Sequence, residues 1–139
     1  MLRAATPRAA TLRAAPASLR RAFRWRTERD TMGDVEVPSD ALYGASTQRA
    51  VHNFRVSGLR MPRCFLGALG SIKAAAARAN GRLELLPAHV ADAIAAAAER
   101  VASGELDQHF PVDVFQTGSG TSSNMNGASL LAPIPPMKH

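Results

Sequence analysis

Two alanine-rich stretches at helical spacing, residues 62–81 and 87–103, constrain the fold of this chain more than any other feature. Pro62 suits a first helical turn, where its missing N–H costs nothing, and Asn80-Gly81 supplies a stop. Between them Phe65, Leu66, Leu69, Ile72 and the alanines at 74–77 form an apolar stripe. The second stretch begins near Pro87, carries Val90, Ile94, Ala97, Ala98 and Val101, and ends at Ser103 with Gly104 behind it. The short connection between them predicts an antiparallel helical hairpin. Small side chains on the facing surfaces allow close approach of the helix axes, which favours bundle-like packing over a core of large residues.

The rest of the chain carries weaker local signals. Val35 and Val37 alternate with Asp34 and Glu36 before Pro38, the period of an edge strand or hairpin arm that the proline ends. On this pattern the fold starts near Asp30. Ser39 is suited to cap a helical turn closed by Gly44, Thr47 to Phe54 predicts a short helix, and Ser57-Gly58 a turn. With 139 residues the chain has room for one ordinary domain.

The formal net charge of +6 would point to a nucleic-acid partner if it were spread over a folded surface. It is not. Residues 1–27 hold Arg3, Arg8, Arg13, Arg20, Arg21, Arg24 and Arg26 and no acid, while the remainder has ten basic against eleven acidic residues. A slightly acidic body argues against nucleic acid as a partner. An Arg- and Ala-rich leader without acids has the composition of a mitochondrial presequence, so 1–27 is assigned to a targeting segment and the matrix is the expected location, with the cytoplasm as alternative. The same composition also fits an amino-terminal extension with no targeting role. No stretch is long and apolar enough to predict a membrane-spanning helix.

Residues able to do chemistry are few. Cys64 is single and has no metal-ligand spacing around it; on an apolar helical stripe it reads as a small buried side chain. His52, His89, His109 and His139 stand singly, without a recognisable partner, and are expected in surface or structural roles. The chemistry concentrates in Gln116-Thr117-Gly118-Ser119-Gly120-Thr121-Ser122-Ser123-Asn124-Met125-Asn126, after the extended run Phe110–Phe115. Two glycines let the backbone turn so that amides and the hydroxyls of Ser119 and Thr121 converge, and a helix starting near Ser123 would add its dipole. Such a place suits a carboxylate or phosphate. It is not a P-loop, since no lysine follows the second glycine, nor a nucleophile elbow, since Ser119 is flanked directly by glycines. Taken alone, a Gly-Ser-Thr stretch is more often a turn than a ligand site.

Longer-range order narrows this. Asp30-Thr31-Met32-Gly33, Val37-Pro38, Ala41-Leu42-Tyr43-Gly44-Ala45, Thr47-Gln48-Arg49-Ala50 and Asn53-Phe54 together resemble the opening of class II fumarases. The helix containing Lys73-Ala74-Ala75-Ala76 lies where that family has a similar one. Val114–Thr121 followed by Ser123-Asn124-Met125-Asn126 resembles its first substrate-binding region. The resemblance runs from about residue 27 to 126. It implies a mainly α fold, the amino-terminal domain of the fumarase/aspartase type, with a short β hairpin or extended arm and a helical hairpin but without the central helical bundle. Residues 28–126 are assigned to that domain.

The family resemblance further implies reversible hydration of fumarate to L-malate, with a small dicarboxylate as partner, a homotetramer for the intact enzyme, and no metal or organic cofactor. Ser119, Gly120 and Thr121 would bind a substrate carboxylate. Aspartate ammonia-lyases share the opening and the Asn-Met-Asn stretch; they typically have alanine where Ser119 stands, and Thr117 also points to the fumarases. The family's base lies in a Gly-Ser-Ser-x-Met-Pro loop, and a histidine from another region assists. Neither region is present in these 139 residues, so no catalytic residue is assigned. After Asn126 the family pattern breaks off, and Pro133, Pro135 and Pro136 set residues 127–139 apart as an aberrant tail that should not be helical. The chain is expected to lack hydratase activity by itself. A reading from another class is a non-catalytic piece that docks on full-length subunits.

Overall fold

The computed structural model describes residues 24–132. Most of the expected presequence, the prolines at 133, 135 and 136, and His139 lie outside them. The described residues begin with a two-stranded antiparallel hairpin, β1 (Trp25–Asp30) and β2 (Gly33–Pro38), in the register Trp25 to Pro38 through Asp30 to Gly33. The alternation seen in the sequence is real: Val37 is fully buried and Val35 half-buried, while Asp34 and Glu36 face solvent.

β1 starts earlier than the sequence reading places the fold. Residues 25–27, assigned there to the leader, pair with Pro38, Val37 and Glu36. Arg26, counted among the leader arginines, donates to the carbonyls of Pro38 (2.9 Å), Ala41 (2.6 Å) and Tyr43 (2.7 Å) and to Glu28 (2.8 Å). One guanidinium therefore shapes the segment from 38 to 43 as a turn in place of the helical turn expected from Ser39 to Gly44. The Pro38 carbonyl also accepts from the Ala41 amide (3.0 Å), which closes the turn, and residues 41–44 have no regular structure. Ala41 and Tyr43 from this turn form a small cluster with Val37.

Four α-helices follow among the described residues: α1 (Ala45–Asn53), α2 (Arg63–Arg82), α3 (Ala88–Ser103) and α4 (Thr121–Leu131). Arg49 ties α1 to the hairpin through Asp30 (2.8 and 3.0 Å) and the Gly33 carbonyl (2.9 Å). α2 and α3 make the expected antiparallel pair, with Gly70 opposite Ala98 and Ala102, and Gly81 opposite Ala91. A Cβ at Gly70 would lie 2.6 Å from the Ala102 nitrogen and 2.8 Å from the Ala98 oxygen, so the backbones touch there. α3 ends at Gly104 as its sequence indicates; α2 runs through Asn80-Gly81 to Arg82.

Of the predicted stripe on α2, Leu66, Ala74 and Ala77 are buried, joined by Gly70, whereas Phe65 and Ile72 face outward; Ile72 is 67% exposed. Helices this close accept only small residues at their contact, which turns the bulky neighbours outward. Cys64 is exposed too, contrary to the buried role expected for it. The main core gathers Leu66, Ala98, Val101, Phe110, Leu130 and Leu131 from α2, α3, α4 and the segment between the last two helices. α4 crosses position 127, where the sequence reading begins a non-helical tail. It stops only at Ala132, which turns extended (ψ 133°) as the residue before Pro133 must.

Candidate functional site

The chain reaches the loop between α3 and α4 along a buried anchor. Val114 donates to the Leu59 carbonyl (3.0 Å), and the backbones of Asp113 and Arg60 pair as an isolated antiparallel β-bridge. The Asp113 carboxylate, only 5% exposed, accepts from the amides of Ser57 (2.7 Å), Gly58 (2.7 Å) and Phe115 (2.8 Å) and from the Ser57 hydroxyl (2.9 Å). Burial by itself pushes this carboxyl up; the donors from Phe115, Ser57 and Gly58 outweigh it and hold the group at about 2, so it is ionised at neutral pH.

Gln116 then fastens the loop to the helix it precedes. Its Nε2 donates to the Asp113 carbonyl (3.0 Å) and the Ser123 hydroxyl (2.9 Å), and its Oε1 accepts from the Ser123 amide (2.8 Å). Ser123 is the third residue of α4, so Gln116 satisfies one of the amides a helix leaves free at its start. Gly120 caps the helix in the left-handed region (φ 69°, ψ 15°), where a residue without Cβ is favoured. Its own amide donates to the Thr117 carbonyl (2.9 Å).

The three residues singled out by the sequence come together at this point. The hydroxyl oxygens of Ser119 and Thr121 lie 2.6 Å apart across Gly120, and both side chains are exposed. One hydroxyl donates to the other, which leaves one O–H free to point outward. The amides of Thr121 and Ser122 have no acceptor among the described residues. Two free amides, a hydroxyl pair and the positive end of an 11-residue helix make an open cradle for an anion. The helix starts at Thr121, two residues before the start predicted at Ser123, which places the Thr121 amide in the first turn and aligns it with the dipole.

Sequence reasoning missed the supports of this cradle. Asp113 falls in the extended run before the stretch that carries the chemistry and Gln116 at its first position, neither with a role of its own, and no short-range pattern reveals that Asp113 holds residues 57–58 or that Gln116 reaches forward to Ser123. Among the described residues no histidine side chain hydrogen-bonds to it. His109 is buried, accepts from the Leu42 amide through Nδ1 (3.4 Å), and through its carbonyl accepts from the fully buried Asn126 (3.0 Å); burial shifts its ring below the usual histidine range. His52 lies against Gln48 (2.8 Å), and His89 is exposed. Among the described residues no three His, Cys, Asp or Glu side chains converge as a metal-ligand set, and no helix is long and apolar enough to cross a membrane. A groove of about 320 Å³ runs between α2, α3 and α4 past Ala77, Leu86, Ile94 and Leu131, and the loop does not line it.

Comparison with known proteins agrees with this architecture. A family model described as a lyase matches residues 33–138, a span that takes in the stretch from 127 onward set apart above as a tail. The class II fumarate hydratase of Xylella fastidiosa (strain Temecula1) is 58% identical over 111 residues, 80% of this chain and 24% of that protein. Those of Halobacterium salinarum and Mycobacterium tuberculosis (strain CDC 1551) are 56% identical over 108 residues and 54% over 110, each with 23% of its length matched. Among solved structures, the recombinant class II fumarase of Schistosoma mansoni superposes with a TM-score of 0.74 at 38% identity, over 78% of this chain and 23% of that one. The fumarate lyase:delta crystallin of Brucella melitensis in native form gives 0.72 at 43%, over 77% and 24%. The chain thus spans about a quarter of the length of the relatives it matches.

Proposed function

The chain belongs to the lyase family, in its class II fumarase branch, and from that premise we propose that it supplies the dicarboxylate-holding loop of an enzyme that reversibly hydrates fumarate to L-malate. The observation that carries this reading is the cradle at the start of α4: the Ser119 and Thr121 hydroxyls side by side, with the amides of Thr121 and Ser122 free behind them. Removing a proton from the carbon beside a carboxylate drives charge onto that carboxylate. Donors already in place when the charge develops lower the barrier without reorganising. Ser119, Gly120 and Thr121 do that work in this reading, and none of them is the base.

The base and acid belong elsewhere in the intact enzyme, since no Gly-Ser-Ser-x-Met-Pro run occurs in these 139 residues. In this reading the intact enzyme is a homotetramer that builds each site from several chains, and the arginine-rich residues before Trp25 direct import into mitochondria. A test of the loop's role is titration of the isotopically labelled chain with fumarate, followed through its amide resonances. Thr121 and Ser122 are expected to shift with a saturable curve, and Thr121→Ala to weaken it. Saturable shifts elsewhere with those two amides unmoved would overturn the assignment. In the same preparation, L-malate is expected to yield no fumarate by ultraviolet absorbance.

A further inference from the structure

Lys73 is the one lysine among the described residues. Its amine donates to Asn124 Oδ1 at 2.9 Å. Six of the ten arginines among the described residues are paired with a carboxylate, Arg78 with Glu99 among them; the other four are not. Lys73 has no carboxylate within ion-pair distance among the described residues. Its charge is therefore not cancelled locally. The partner it does have, Asn124, is three residues beyond Thr121, about 4.5 Å along the axis of α4.

The route of the side chain is built into both helices. α4 meets α2 at Gly127, where an added Cβ would lie 3.2 Å from Lys73 Cε and 3.4 Å from Leu69 Cδ2. The Lys73 stem thus lies across α4 at the one position there that lacks a side chain, and the amine emerges one helical turn from the cradle. We propose that Lys73 is a positioning residue for the dicarboxylate loop: tethered through Asn124, it fixes the first turn of α4 and sets an uncompensated positive charge beside the bound carboxylate. The inference rests on the reading of the loop as a dicarboxylate site. It adds a residue from α2, 48 positions before Thr121 in the chain, to that site.

Two contributions follow and can be separated. The tether requires only a donor of the right length; the field requires a charge. At about 8 Å, screened as at a protein surface, one unit charge changes the affinity for an anion about fivefold, and salt weakens the effect. The experiment is fumarate titration of the full chain and of Lys73→Met and Lys73→Arg, read at the Thr121 and Ser122 amides at low and high salt. Methionine keeps the apolar stem over Gly127, so the variant should fold. Lys73→Met is expected to bind about fivefold more weakly with a flatter salt dependence, and Lys73→Arg to bind within about twofold of the parent. Without ligand, the side-chain amide of Asn124 should shift in Lys73→Met.

If the parent binds and Lys73→Met binds equally well with the same salt dependence, the inference fails while the loop keeps its role. If the parent itself gives no shift at Thr121 and Ser122, the dicarboxylate reading fails and takes this inference with it. A weaker Lys73→Met accompanied by an equally weak Lys73→Arg, with the Asn124 amide unmoved in both, would assign the loss to general disturbance of α2 and overturn the positioning role.

Discussion

The helical hairpin of α2 and α3 and the region around the α4 loop are built on different physics. The hairpin is held by shape: small residues at Gly70, Ala74, Ala77, Ala91, Ala95 and Ala98 let two backbones close on each other. The loop region is held by directional polar contacts that reach across the chain, Asp113 to Ser57 and Gly58, Gln116 to Ser123, and Lys73 to Asn124. Close packing tolerates no added atom, whereas a polar anchor tolerates size changes and fails when a donor or acceptor is lost. The difference teaches where each kind of substitution should hurt.

The largest effect should come from Gly70→Ala. Its methyl would meet backbone atoms of α3, which cannot swing aside as a side chain can, so a loss of about 3 kcal/mol is expected in chemical denaturation. An unchanged midpoint would mean that the two helices are farther apart than Gly70 requires. Next comes Asp113→Asn, which removes the charge and turns one of the two acceptor oxygens into a donor, so that either the amides of Ser57 and Gly58 on Oδ2 or that of Phe115 on Oδ1 lose their partner. The carboxyl is held below its unfolded value, so its stabilising effect is complete above pH of about 4 and fades as pH falls towards about 2. The parent should lose stability through that window in thermal melts, while the variant should start lower at neutral pH and show a shallower slope. Equal slopes would remove Asp113 as the anchor. The smallest effect belongs to Ile72→Ser, within about 0.5 kcal/mol, because the side chain is exposed; a large loss would return Ile72 to the contact face.

Legibility divided along the same line. The limits of α3 could be read because Pro87 and Gly104 act on the backbone beside them, and β2 because the alternation of Val35 and Val37 is a two-residue period. α1 lies within two residues of its expected limits, starting at Ala45 for Thr47 and ending at Asn53 for Phe54. On α2 the burial of Leu66, Ala74 and Ala77 could be read, but not that Gly70 joins them while Phe65 and Ile72 turn outward. In an alanine-rich helix two adjacent faces are both apolar, and only the approach of α3 at Gly70 decides that Phe65 and Ile72 go out. β1 was hidden differently: Arg26 has the composition of the leader before it, and its role appears only when the carbonyls of Pro38, Ala41 and Tyr43 arrive in space.

By itself the sequence determined that the chain would have two long helices in a hairpin, a short strand with period-two burial, and a glycine-flanked Ser119 and Thr121 able to offer donors to an anion. Each of these rests on interactions within a few residues, where turn chemistry and side-chain period are sufficient. Only the tertiary structure decided which apolar residues of α2 turn outward, that the Thr121 and Ser122 amides are left free, and which distant residues hold the loop in place. Those outcomes depend on pairs such as Ser57 with Asp113 and Lys73 with Asn124, separated by more than fifty positions, and no local pattern encodes a partner at that range.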